Sequence, residues 1–169
     1  MKQSAALPMA WITLRIMIIL VWIFFGSILA LLLFSFLDES ATSKLLGLGG
    51  LPESMSGIRS IAILGVLTAP INYAILKCLL DMVETVRSGD PFVRQNAYRL
   101  NTIAWLLLVM GVANIILASS GKRVSIPQHA FYFDVTWSVN GWLAVILTFV
   151  LARVFAAGAM MREDLEGTV

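Results

Sequence analysis

Asp81–Asn101 reads DMVETVRSGDPFVRQNAYRLN, the one long charged stretch between two hydrophobic runs. Asp81, Glu84, Arg87, Asp90, Arg94 and Arg99 all fall within it. At its centre, Ser88-Gly89-Asp90-Pro91 has the composition of a tight corner between helices. Glycine suits the left-handed residue that ends one helix, aspartate caps the next, and proline fits that helix's first turn. The spacing therefore predicts a helix ending at Gly89 and a second one capped by Asp90. Apolar stripes flank the corner: Leu79, Leu80, Val83 and Val86 before it, Val93, Ala97, Leu100 and Ala104 after it. At helical spacing such stripes zip two helices into a hairpin.

Outward from this corner the chain is strongly apolar. Hydrophobic residues make up 59% of its 169 positions and charged ones 13%, with a mean hydropathy of +0.89. A soluble domain of this length cannot hide so much apolar surface, so the composition is that of an integral membrane protein. Four runs, Met9–Leu37, Ile58–Leu80, Asn101–Ala118 and Trp137–Met160, approach or exceed the roughly 20 residues needed to cross a bilayer. The expected fold is an all-α membrane protein, a single four-helix domain over residues 1–169. The first run is too long for a signal-peptide core and is read as an uncleaved span. Between the third and fourth runs, Arg123–Ile126 and Phe131–Trp137 alternate polar with apolar around Pro127-Gln128. That pattern predicts a short extracytoplasmic β-hairpin, or an aromatic anchor for the fourth span.

Orientation follows from the basic residues. Lys2, Arg15, Lys77, Arg87, Arg94, Arg99, Arg153 and Arg162 fall on one side, and Lys44, Arg59, Lys122 and Arg123 on the other. The excess places both termini and the Gly89 corner in the cytoplasm. Ile58–Arg87 as one helix would be about 45 Å long at 1.5 Å per residue, against a hydrocarbon core of about 30 Å. Helices two and three are thus expected to extend beyond the bilayer. The fourth also overshoots: Val154, Gly158, Met161 and Leu165 keep a helical spacing that runs to Glu166 and ends at Gly167. Its last turns carry Glu163, Asp164 and Glu166, the wrong sign for a helix C-terminus. Arg162 at i−4 from Glu166, Arg94 or Arg99 from the hairpin, or plain solvation would compensate.

The spans carry little chemistry. Cys78 is the one cysteine and His129 the one histidine, which excludes an intramolecular disulfide and a Cys/His zinc site. Phosphate-binding glycine loops, HExxH helices and GxSxG elbows are missing, so no catalytic, metal or cofactor residues are expected. His129 and Asp134, on an outer loop, make a poor triad. No Asp or Glu lies inside an apolar run, which speaks against a proton-coupled pump. A net charge of +2, scattered along the chain, predicts no direct nucleic-acid binding. Arg15, Lys77 and Arg153 read as snorkelling anchors, and Cys78 as a small buried hydrophobe. Pro70 interrupts the second span, with Asn72 near enough to help satisfy the freed backbone. Asn114 and Thr148 read as interhelical hydrogen-bond partners. A rival reading, a small oligomeric transporter or channel subunit, needs Asn72, Asn114 and Thr148 to line a polar path. A structural subunit of a membrane complex is the third reading.

Residues 88–108, SGDPFVRQNAYRLNTIAWLLL, and residues 154–169, VFAAGAMMREDLEGTV, resemble a family of small bacterial membrane proteins catalogued as the domain of unknown function numbered 2975. The resemblance rests on a G-x-PF…N…L hairpin and an F-x-x-G-x-x-x-x-x-D/E…TV tail. Here those positions are Gly89, Pro91, Phe92, Asn96, Leu100, Phe155, Gly158, Asp164, Thr168 and Val169. The resemblance implies four helices in the bacterial inner membrane and a partner of the small helix-turn-helix DNA-binding kind. The expected function is then an interaction protein that binds or modulates a cytoplasmic regulator, itself lipid-embedded and with room for homo-oligomerisation. Phe92, Arg94, Asn96, Arg99, Glu163, Asp164 and Val169 would form or brace the docking face, with Gly89, Asp90 and Pro91 shaping its corner.

Overall fold

The computed structural model describes residues 6–46, 52–120 and 139–167. These form five helices: α1 (Ala6–Leu37), α2 (Glu39–Leu45), α3 (Pro52–Arg87), α4 (Arg94–Ser120) and α5 (Val139–Glu166). Among the described residues there is no strand. The β-hairpin expected within 123–137 lies outside them, as do Thr168 and Val169. Helices α1, α3, α4 and α5 are each long and apolar enough to cross a membrane, which suggests a multi-pass membrane protein.

The helices stand in a row. α1 packs on α3, α3 on α4, and α4 on α5, while α2 folds against α1. Among the described residues α1 makes no comparable contact with α4 or α5, so the helices do not close into a bundle. Consecutive long helices run antiparallel, as their contacts require. Trp22 meets Tyr73 edge-on at 5.6 Å, Arg99 reaches the Asp81 carbonyl, and Trp105 meets Phe149 at 5.6 Å. The N-terminal end of α1, the α3–α4 corner and the C-terminal end of α5 consequently share one end of the molecule.

Residues at seven-residue spacing, most of them small, build the contacts. Ala62, Ala69 and Leu76 are buried along α3, Ala104 and Gly111 along α4, and Val145, Ala152 and Ala159 along α5. Between apolar helices in lipid, close backbone approach replaces the hydrophobic drive, and small side chains permit it. Gly65 illustrates the fit: a Cβ there would sit 2.9 Å from Ile28 Cδ1 of α1. The outward faces remain apolar, with Ile12, Ile16, Ile19, Leu20, Ile23 and Phe24 exposed on α1, as for helices bathed in lipid.

α3 continues through Pro70. The Asn72 amide donates to the Thr68 carbonyl at 3.2 Å. The carbonyl that proline deprives of its donor is Val66, four residues back, so Asn72 does not take the role expected of it.

The far end holds an element that hydropathy does not mark. Asp38 caps α2, accepting from the Ala41 N–H at 2.9 Å and from the Ser40 hydroxyl at 2.8 Å. Those two donors hold its carboxyl below the ordinary aspartate value. Arg59 of α3 then ties the end together, donating through Nε to Ser35 Oγ at 2.8 Å and pairing with Glu39 at 3.5 Å. Its guanidinium also lies over the Phe36 ring.

Candidate functional site

The α3–α4 corner meets α5 at the shared end, and most of the residues singled out in the sequence gather there. The corner itself is set by backbone geometry. Gly89 has φ of +88°, a conformation that strains residues with a Cβ. Its N–H donates to the Val86 carbonyl at 3.1 Å, and the Asp90 N–H donates to the Thr85 carbonyl at 3.0 Å. These two bonds form a Schellman motif, so Gly89 ends the helix as its composition predicts.

The start of α4 differs from expectation. Asp90, Pro91, Phe92 and Val93 are not helical, and α4 begins at Arg94. The Asp90 carboxylate pairs with Arg162 of α5 rather than capping α4. The physical reason lies in the next side chain. The non-helical 90–93 segment carries Phe92 across to α5, where its ring lies 5.3 Å from Phe155. A Cβ on Gly158 would sit 2.8 Å from Phe92 Cδ1, so this glycine is the notch that admits the ring. Tertiary contact has overridden the local capping preference.

Beside this aromatic plug, Arg94 Nη2 pairs with Glu163 Oε2 at 2.7 Å. One of the compensations proposed for the acidic end of α5 is thus present. Arg162 turns toward Asp90, and Arg99 turns inward. Both partners in the Arg94–Glu163 pair are about half exposed or more, and exposed pairs of this kind contribute roughly 0–1 kcal/mol. An aromatic pair adds about 0.5–1.5 kcal/mol beyond its buried area. Phe92, which stays 44% exposed, thus ties the corner to α5 together with the Arg94–Glu163 and Asp90–Arg162 pairs.

Behind the corner, Asn96 is fully buried at the centre of a polar network. Its amide nitrogen donates to Thr85 Oγ1 at 2.7 Å and to the Pro91 carbonyl at 2.9 Å. Its amide oxygen accepts from Arg99 Nη1 at 2.8 Å. Arg99 also reaches the Asp81 carbonyl at 3.3 Å, and the Thr85 hydroxyl donates to the Met82 carbonyl at 2.7 Å. One side chain thus joins α3, the corner and α4. Leu100 is buried one turn further along α4.

Of the residues named from the sequence, Asp90, Phe92, Arg94, Phe155, Gly158 and Glu163 meet across the corner–α5 contact. Asn96, Arg99 and the Pro91 carbonyl belong to the buried network, and Asp164 is exposed at the end of α5. The reading missed Thr85 and the Asp90–Arg162 pair. Thr85 carries no one-dimensional signal, because its role depends on Asn96 folding back across the corner.

Two clefts flank the site. One of about 220 Å³ is lined by Asp81, Glu84, Thr85, Ser88 and Arg99. The other, of about 190 Å³, lies beside Asp90, Phe92, Arg94 and Arg162. Both fall below the roughly 300–1,000 Å³ of a small-molecule pocket. Among the described residues no three His, Cys, Asp or Glu side chains are placed to hold a metal. The arrangement joins helices and presents a surface. No family model, no curated protein and no solved structure matches the chain.

Proposed function

We propose that the chain is a non-enzymatic interaction protein of the bacterial inner membrane that binds a small helix-turn-helix DNA-binding regulator. In this reading both termini and the α3–α4 corner lie in the cytoplasm, where the corner and the end of α5 form one docking face. The observation that supports it is the joining of two distant stretches, around Phe92 and around Gly158, into one contact at one end of the molecule. The resemblance of those same stretches to the family numbered 2975 points to the partner's kind. Beside the contact, Asp164 and Tyr98 are exposed. Asp164 provides an acidic landing point for a basic DNA-binding domain.

Transport is less well supported. Asn72 and Thr148 each donate to a carbonyl of their own helix, at 3.2 and 2.7 Å, which serves the backbone rather than a polar path.

The test is in-cell crosslinking with a photoreactive residue at Asp164 or at Tyr98, two positions outside the Phe92 plug. Capture of a small DNA-binding protein from both positions is expected, and Asp164→Lys should reduce its co-purification with the otherwise unaltered chain. That substitution leaves the Arg94–Glu163 pair in place. Capture of only the chain itself, or of a membrane complex, would leave the regulator reading without support.

A further inference from the structure

At the same end of the molecule, but on α1 rather than α5, two arginines converge on one indole. The Arg15 guanidinium carbon lies 3.9 Å from the Trp11 ring centroid, and that of Arg87 lies 5.5 Å from it. Arg15 is one turn along α1 from Trp11, whereas Arg87 is the last residue of α3. The pairing is therefore made by the packing of α1 on α3. Because both reach one ring, the packing of α1 on α3 concentrates two positive charges at one point of the seam. Both arginines are exposed, and among the described residues neither forms a salt bridge. Several cations toward this end differ, since Lys77, Arg94 and Arg162 have carboxylate partners and Arg99 is tied to Asn96. The Trp11 Nε1 is buried and finds no acceptor among the described residues. What the indole offers the two cations is its π face.

We infer that Trp11, Arg15 and Arg87 form a binding site for the phosphate of an anionic phospholipid headgroup at the α1–α3 seam. Three properties support the assignment. Tryptophan and arginine at the end of an apolar helix sit at headgroup level. Guanidinium forks match phosphate geometry and are weakly hydrated, so they bind it at a wet interface. Two like charges held together also repel, and one anion between them relieves that repulsion. Basic pockets between membrane helices take anionic headgroups for these reasons. The site stands whether or not a regulator docks on the other side of the corner.

The experiment uses the full chain in lipid nanodiscs of phosphatidylcholine doped with a photoactivatable phosphatidylglycerol, or with the matching photoactivatable phosphatidylcholine. Labelled peptides are then mapped by mass spectrometry. The anionic probe should label the peptides around Trp11–Arg15 and around Arg87 preferentially, and the zwitterionic probe should not. In native mass spectra, retention of phosphatidylglycerol should fall about fivefold for Arg15→Gln or Arg87→Gln, the factor expected for one basic residue at an anionic surface. Arg153→Gln, an exposed arginine outside the site, should retain lipid as the unaltered chain does. Equal labelling by the two probes, or equal loss of lipid in Arg153→Gln, would overturn the inference. Displacement of the lipid by millimolar inorganic phosphate would overturn the lipid as the source of the bound group. The labelling arm uses the unaltered chain, so a folding defect in the arginine variants does not obscure the result.

Discussion

Asn96 shows why a single buried amide can matter more than the charged residues around it. All its polar capacity within reach is used, by Thr85, Pro91 and Arg99. Asn96→Ala leaves the Pro91 carbonyl and the Arg99 guanidinium without this partner. The expected cost is about 1–3 kcal/mol, the penalty for stranding buried polar groups. Unfolding in mixed detergent micelles would measure it, and a loss much below 1 kcal/mol would mean that water replaces the amide. The sequence singled out Asn96, Phe92 and Gly158, but it did not show their roles. An asparagine on an amphipathic helix reads equally well as a surface residue, and only the return of α3 and the corner encloses it. The Phe92 ring belongs with Gly158 because that glycine lacks a Cβ, and the two are 66 positions apart in the chain.

At the scale of the element, the long helices were legible and their ends less so. Apolar runs set the spans, yet α3 begins before Ile58 and runs to Arg87, and α4 starts at Arg94 rather than at Pro91. α5 reaches Glu166, and the Gly167 N–H closes on the Glu163 carbonyl at 3.0 Å, as its spacing predicts. α2 was passed over by hydropathy because its signal is capping: Asp38 before it, Glu39 in its first turn and Lys44 in its last. Its carboxyl cap gives α2 a pH dependence. The folded Asp38 has a lowered value, first through the Ala41 N–H and then through the Ser40 hydroxyl. Its contribution is therefore complete above the unfolded value of about 3.9 and is lost as pH falls through the lower folded one. The Ala41 amide resonance should titrate below that unfolded value, and Asp38→Asn should abolish the titration while retaining the cap. Titration at the ordinary aspartate value would show that the carboxylate is not held by these donors.

For the whole molecule, the open row makes predictions that a closed four-helix bundle would not. In a Cys78→Ser background, Trp22→Cys with Tyr73→Cys, and Trp105→Cys with Phe149→Cys, should join through a short bifunctional linker within one chain. Ile16→Cys with Val154→Cys, on α1 and α5, should not. Efficient intrachain joining of the α1–α5 pair would mean that the row closes in the membrane. The row also explains how one end of the molecule presents two separate surfaces. Around Phe92, α4 and α5 are pinned to the corner, while around Trp11, α1 and α3 bring two arginines together.

The sequence by itself determined the number of long apolar helices, the turn at Gly89 and the continuation of α5 to Glu166. Each of these depends on composition or on contacts within a few residues, where periodicity and backbone preference are decisive. Tertiary structure alone decided that Asp90 pairs with α5 instead of capping α4, that Asn96 is enclosed, and that Arg15 and Arg87 share an indole. Those outcomes depend on which helix lies beside which. In lipid, that choice follows from the fit of small residues such as Gly65 and Gly158 against particular partners, a matter of shape between distant positions that hydropathy does not encode.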